Sequence, residues 1–278
     1  MKKVIMHSFF KKYLPFSKAQ MQEFVNYRAH AVVWVLMEFM FLVLQYFIWK
    51  AIYDNSPNDI INGYSFIGMM TYVLLVRVVS SLTFVMPSGY ISDDIVSGAI
   101  AMNLIKPINY RTQLFFKSLG DIVNSIVFFV IPLVITVVII AFFVDLKITL
   151  TLPVIAAFIL SILFAFTIRF LIGYIFGLII FLTINSFGIF QLRRAIEGIF
   201  SGVIIPLHFF PEWLYQIAVF LPFMQGLYVP VRIFMGNYET NMDIVNALLF
   251  QVLWVGILYV MAIFFWKKVV NRLVVMGG

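Results

Sequence analysis

Six ionisable residues, Glu38, Arg77, Arg169, Arg193, Arg194 and Glu197, stand inside long apolar stretches of the chain. A charge surrounded by hydrocarbon is costly, so such residues are expected to pair with one another or to face a ligand. Arg193 and Glu197 have the i, i+4 spacing that lets them pair on one helix face, although the acid-first order is the better one. Arg77 and Arg169 are candidate partners for Glu38. Facing a central pathway, these charges would favour an anionic or amphipathic cargo; near helix ends, long side chains can instead snorkel to the surface. No other spacing suggests a reaction centre. There is no G-x-x-x-x-G-K-[ST], H-E-x-x-H or G-x-S-x-G. Cysteine is absent, and the three histidines, His7, His30 and His208, are too scattered to suggest a metal site. We therefore expect no catalysis, no metal and no cofactor in this chain.

The elements that must hold these charges are membrane helices. Of the 278 residues, 63% are hydrophobic and only 11% charged, with a mean hydropathy of +1.05, far from the roughly 45–50% and 25% of soluble chains. A bilayer core needs roughly 20 apolar residues per helix. Spans are expected near Ala29 to Ile52, Gly63 to Met86, Leu114 to Val144, Leu152 to Phe181, Thr183 to Ile205 and Asn246 to Trp266. Between the fourth and fifth there is no clear polar loop, only Thr183, Asn185 and Ser186. The net charge of +7 reads as topology and not as nucleic-acid binding. Lysines and arginines precede span one, follow span two and follow span six, which puts both termini in the cytoplasm of a multi-pass protein.

Three polar or broken segments punctuate this pattern. From Ile5 to Leu14, apolar and basic pairs alternate at helical spacing up to Pro15, which is expected to end the helix; a basic amphipathic helix lies in the headgroup layer, the alternative being a solvated arm. At 92–107, "SDDIVSGAIAMNLIKP", Ser92 is a candidate N-cap, Asp93 and Asp94 would occupy the first turn, and Pro107 forces an end near Lys106. On that wheel Ile91, Ile95, Ala99, Ile100 and Met102 are neighbours, leaving Asp94, Ser97 and Gly98 to face something polar. Residues 206–238 are apolar enough to enter a membrane, but Pro206, Pro211, Pro222 and Pro230 exclude one straight helix. An external re-entrant hairpin is expected, or else an interfacial loop with Trp213 and Tyr215 anchored at the headgroups. The fourteen methionines and thirty-two phenylalanines either line an adaptable route or fill helix interfaces and face lipid.

The stretch "IVSGAIAMNLIKPINY" resembles the first cytoplasmic loop of ABC-2 type exporter permeases: an acidic residue, Ile, Ser-Gly, a small-residue turn, then Leu-Ile-Lys-Pro. "NYRAH", "IWKAIY" and the Phe-Ser-Gly…Pro-Leu…Phe-Pro…Leu-Pro-Phe run at 200–223 resemble the same family, particularly its paired bacterial permeases that share one ATPase. The resemblance implies that the loop helix is a coupling helix seated in a groove of an ATPase subunit. Asp94, Gly98, Leu104, Lys106 and Pro107 match that pattern, and Asp93 is an additional carboxylate beside it. It further implies two copies of a cytoplasmic ATPase that bind ATP and Mg, and a second permease, nonidentical in a heterodimer or else identical in a homodimer. The N-terminal segment matches the family's connecting helix.

The expected architecture is an all-α integral membrane protein of the bacterial cytoplasmic membrane. Residues 1–28 form an amphipathic interfacial helix. Residues 29–266 form one six-helix domain, with a coupling loop at 87–113 and external re-entrant helices at 206–238, and 267–278 form a cytoplasmic tail. The expected function is export of an amphipathic or hydrophobic compound, such as a drug, peptide or lipid-like molecule. Export of a lipid-linked glycan, a secondary transporter and a membrane sensor are the alternatives.

Overall fold

The computed structural model describes residues 2–26, 28–135, 151–183 and 185–276, with side chains at all of these except 2–9, 24–31, 104 and 272–276. Helices α1 (Lys2–Asn26) and α2 (Arg28–Asp54) are followed by a hairpin of β1 (Ile60–Ile61) and β2 (Tyr64–Ser65). Asn62 and Gly63 both take positive φ there (48° and 84°), the requirement of a tight two-residue hairpin turn and the reason Asn-Gly suits it. Next come α3 (Phe66–Leu82), α4 (Pro87–Val96), α5 (Ala99–Ile105) and α6 (Tyr110–Ser125), which continues through a widened turn at Ile126–Val130. Then follow α7 (Leu152–Thr183), α8 (Ser186–Phe200), a single 3₁₀ turn at Leu207–Phe209, α9 (Glu212–Phe220), α10 (Pro222–Gln225), α11 (Tyr228–Phe234) and α12 (Asn241–Met276).

Side-chain caps set several of these starts. Ser65 accepts from the Gly68 N–H, Asn109 from Thr112 and Asn185 from Gly188, at 3.0–3.2 Å.

Among the described residues four helices are long and apolar enough to cross a bilayer: Val32–Asp54, Tyr110–Ile135, Leu152–Thr183 and Asn241–Asn271. A fifth crossing exists if α3 and α4, bent by 44° at their junction, act as one. The expected fifth span at Thr183 to Ile205 is instead α8, 15 residues long, short of the roughly 20 a crossing needs, with a turn after Phe200. The fourth-to-fifth boundary does fall at the Thr183–Ser186 polar residues.

Helix α1 departs from expectation at Pro15, which lies inside the helix. Proline removes one backbone bond, but the Tyr13, Ser17 and Gln20 face is held along α6. There a Cβ on Gly120 would come within 2.5 Å of the Ser17 carbonyl, so the two backbones pack closely. Ser17 Oγ donates to the Phe116 carbonyl, and the Tyr13 and Phe116 rings stack at 5.5 Å.

Helix α7 connects two buried clusters. Its first half, with Phe158 and Ile162, packs against one made by Trp49, Tyr72, Val76, Leu227 and Tyr228. Its second half, from Phe166 to Leu178, forms another with Ile91, Leu114, Leu258 and Ala262. Gly173 and Gly177 make this possible: an added Cβ would lie 2.8 Å from Pro87 Cγ at the first and 2.5 Å from Ile91 Cδ1 at the second. Small residues four apart let neighbouring backbones approach in a membrane bundle.

Candidate functional site

The segment after α3 is built from a bend, two short helices and a proline. Thr83 turns its hydroxyl back to the Val79 carbonyl (2.7 Å), the helix stops, and Pro87 restarts it as the first residue of α4. Ser92, expected to cap a helix, is therefore buried in the middle of one, and Asp93 and Asp94 occupy its last turn and not its first. Gly98 then breaks the run in the left-handed region (φ 75°). A Cβ there would meet nothing within this chain, so the demand for glycine is conformational. The single helix expected here is two, α4 and α5, and the break resets the wheel. Ile91, Ile95 and Ile100 face the second cluster, whereas Val96, Met102 and Ile105 are 83%, 61% and 75% exposed.

The two carboxylates separate in role. Asp94 points inward: its Oδ2 accepts from the Tyr110 hydroxyl (2.6 Å) and from Asn103 Nδ2 (2.9 Å). Lys106 Nζ donates to Asn103 Oδ1 (2.8 Å), which closes a network joining α4, α5 and the start of α6. Asp93 is exposed. Helix α1 braces the same junction, with Lys12 donating to the Pro107 carbonyl and Tyr13 accepting the Asn109 N–H. Lys106 and Pro107 end α5, and the Leu104 side chain lies outside the described residues. The Tyr110 ring stacks on Trp266 of α12, so α1, α5, the start of α6 and the far part of α12 meet at one end of the bundle.

The segment from Pro206 to Tyr238 is a run of short helices. Pro206 and Pro211 sit just before the 3₁₀ turn and α9, Pro222 starts α10, and Pro230 lies in the first turn of α11, all places that need no donor from proline. Leu227, Tyr228 and Ile233 are fully buried in protein, while Trp213 is 64% exposed. The Tyr228 hydroxyl and His208 Nδ1 are hydrogen-bonded. Burial, and secondarily the Arg232 charge, hold the His208 imidazole below its usual pKa, which favours the neutral ring in this contact. Because the folded value lies under the unfolded one of about 6.5, this stabilisation is full above that pH and is lost on acidification through the folded value. Amide protection across 206–228, each exchange rate being divided into the intrinsic rate at the same pH, is expected to fall from pH 7.5 to pH 5, and His208→Gln is expected to abolish that fall.

The charges within apolar segments divide into two places. Arg77 Nε lies 3.4 Å from Glu38 Oε1, with its guanidinium 3.6 Å above the Phe41 ring. Arg169 does not reach Glu38. It reaches the bend after α3, donating to Thr83 Oγ1 (2.8 Å) and weakly to the Ser80 carbonyl (3.4 Å). Arg193 is buried, its Nε 2.8 Å from Glu197 and its Nη1 donating to Ser88 Oγ (3.0 Å). Arg169, Arg193, Arg194 and Glu197 line one cavity of about 370 Å³, walled also by Phe84, Phe190 and Phe223.

Residues 39–277 match the family model described as ABC-2 family transporter protein. The chain belongs to the ABC-2 transporter family. No curated protein matches it. It is accordingly a multi-pass membrane component of a transporter, a part that in this family is generally not catalytic. The ABC-2 match runs from within α2 through α12, and α1 lies before it.

Several residues that shape this ABC-2 site escaped the sequence reading. Tyr110 and Asn103 are ordinary polar residues until the fold brings them to Asp94. Asp121, whose Oδ2 accepts from the Tyr90 hydroxyl (2.5 Å), carried a legible signal as a lone acid within an expected span. Gly173 and Gly177 carried another, their small-x-x-x-small spacing.

Proposed function

We propose that this chain is the transmembrane permease subunit of an ATP-driven bacterial exporter of amphipathic or hydrophobic compounds. Two copies of a separate cytoplasmic ATPase, carrying ATP and Mg, act on the α4–α5 junction, and a second permease, nonidentical to this one, completes the pathway. The observation that carries this reading is the family match over residues 39–277 together with the exposed Val96, Met102 and Ile105 beside Asp93. An apolar tip with a charged rim, braced from behind by the Asp94 network, is suited to docking on a soluble partner.

Six crossings follow if α3 and α4 form one bent span and α8 with its following turn forms the fifth. The 206–238 segment then enters and leaves from outside, its α10–α11 part buried in protein as membrane depth requires. The basic residues near α1, α5 and the end of α12 support a cytoplasmic position for that end and for both termini by the positive-inside rule. ATPase-driven closure does work only by favouring one permease arrangement over another by a differential free energy.

The test is affinity purification of the native complex into nanodiscs, with ATPase activity measured in wild type and Gly98→Trp. A copurified ATPase whose response to transported compounds is lost in the variant is the expected result. A stable preparation with no associated ATPase would overturn the reading in favour of a carrier or sensor.

A further inference from the structure

The cavity between the α3–α4 bend, α7, α8 and α10 holds more positive charge than it neutralises. Three guanidinium groups, Arg169, Arg193 and Arg194, line it with one carboxylate, Glu197. Glu197 is engaged by Arg193 at 2.8 Å. Among the described residues no acid lies within 4 Å of Arg169 or Arg194. Arg169 stands near the middle of α7, about 20–25 Å from either end at 1.5 Å per residue, where a cation without an ion-pair contact is costly. Its acceptors, Thr83 Oγ1 and the Ser80 carbonyl, are neutral and leave the rest of its donor fork free of any described partner. Hydroxyls of Ser80, Ser88 and Ser201 line the same space, and the Phe84, Phe190 and Phe223 side chains form its apolar walls. A volume of about 370 Å³ is within the range of small-molecule sites, about 300–1,000 Å³.

We infer that this cavity binds an anionic amphiphile, its phosphate, sulfate or carboxylate head held between Arg169 and Arg194 and its apolar part against the phenylalanine wall. Guanidinium matches such heads by paired, charge-assisted hydrogen bonds. The Arg193–Glu197 pair contributes position and not net charge: through Ser88 it fixes α8 against α4 and so sets the width of the cavity. The α10 end comes equally close, since a Cβ on Gly226 would lie 2.8 Å from Arg169 Cγ. A ligand here would touch both the α3–α4 bend and the 206–238 segment. That the ligand is the transported cargo rests on the exporter reading; that the cavity binds it does not.

The test uses the purified full-length protein in uncharged detergent and in phosphatidylcholine nanodiscs, with radiolabelled decyl phosphate as the probe. Saturable binding is expected in both. Arg169→Gln and Arg194→Gln are each expected to weaken it about tenfold or more, the loss of one charge-assisted contact. Arg194 is exposed and not within 4 Å of an acid, so its variant keeps the test valid if loss of the Arg169–Thr83 contact disturbs folding. Decyltrimethylammonium is expected not to compete. Displacement by inorganic phosphate alone would assign the site to a free anion, displacement by phosphatidylglycerol to a lipid headgroup, and displacement by neither to a detached amphiphile. Absent saturable binding, binding unchanged in both variants, or equal competition by the cationic amphiphile would overturn the inference. No ATPase is needed, so failure here is distinct from failure of the exporter reading.

Discussion

Asp94→Ala is expected to lower the stability of the purified protein by about 3–6 kcal/mol, because it removes two hydrogen bonds to a carboxylate at about 1.5–3 kcal/mol each. The Tyr110 hydroxyl and Asn103 amide would both lose their partner, and with them the network that joins α4, α5 and α6. Asp93→Ala is expected to change stability by no more than about 0.5 kcal/mol, as exposed substitutions usually do. Thermal unfolding in detergent distinguishes the two, and partner-stimulated ATP hydrolysis then separates their roles. Loss of stimulation in the stable Asp93 variant marks a docking contact, whereas loss in the Asp94 variant with a lowered Tm marks a collapsed platform. An Asp94→Ala protein that melts as wild type would refute the bracing role.

The second large effect is expected at Gly177. Leucine there would place its Cβ 2.5 Å from Ile91 Cδ1 and 3.1 Å from Ser88 Cα. The first neighbour is the end of a side chain and can turn; the second is backbone and cannot. Helix α4 would have to move off α7, at a cost of about 1–3 kcal/mol or more for overpacking. Displacing Ser88 also removes the acceptor of Arg193 Nη1, so the cavity wall shifts with the helix. A Gly177→Leu protein is expected to unfold at lower temperature and to bind decyl phosphate more weakly, with Gly177→Ala intermediate in both. Wild-type stability in the leucine variant would show that α4 and α7 are not held as closely as described.

Particular elements show where sequence patterns suffice. Span four was legible almost to the residue, Leu152 to Phe181 against the helix Leu152–Thr183, because its apolar content is continuous and Pro153 and Asn185 punctuate it. The Arg193–Glu197 contact was legible too, since i, i+4 spacing on a helix brings side chains together whatever the surroundings. The start of α4 was not. Ser92 has the chemistry of a cap, but Pro87 begins the helix five residues earlier, and capping propensity gives way when Ser92 is buried against a neighbour. Pro15 failed for the converse reason: the lost backbone bond is offset by a face packed along α6.

Hydropathy established from the chain alone a multi-pass helical membrane protein, and its motifs carried the resemblance to the ABC-2 transporter family. Those properties follow from composition and local order, which transfer free energy and helical periodicity read directly. Folding was needed to turn Asp94 inward and leave Asp93 outside, to divide the charges into an Arg77–Glu38 pair and an arginine-lined cavity, and to bring Gly177 against Ser88. Each of these depends on residues far apart in sequence meeting in space, and on which face of a bent helix meets its neighbour. No local pattern carries that information, because the bends at Thr83 and Gly98 reset the helical phase on either side.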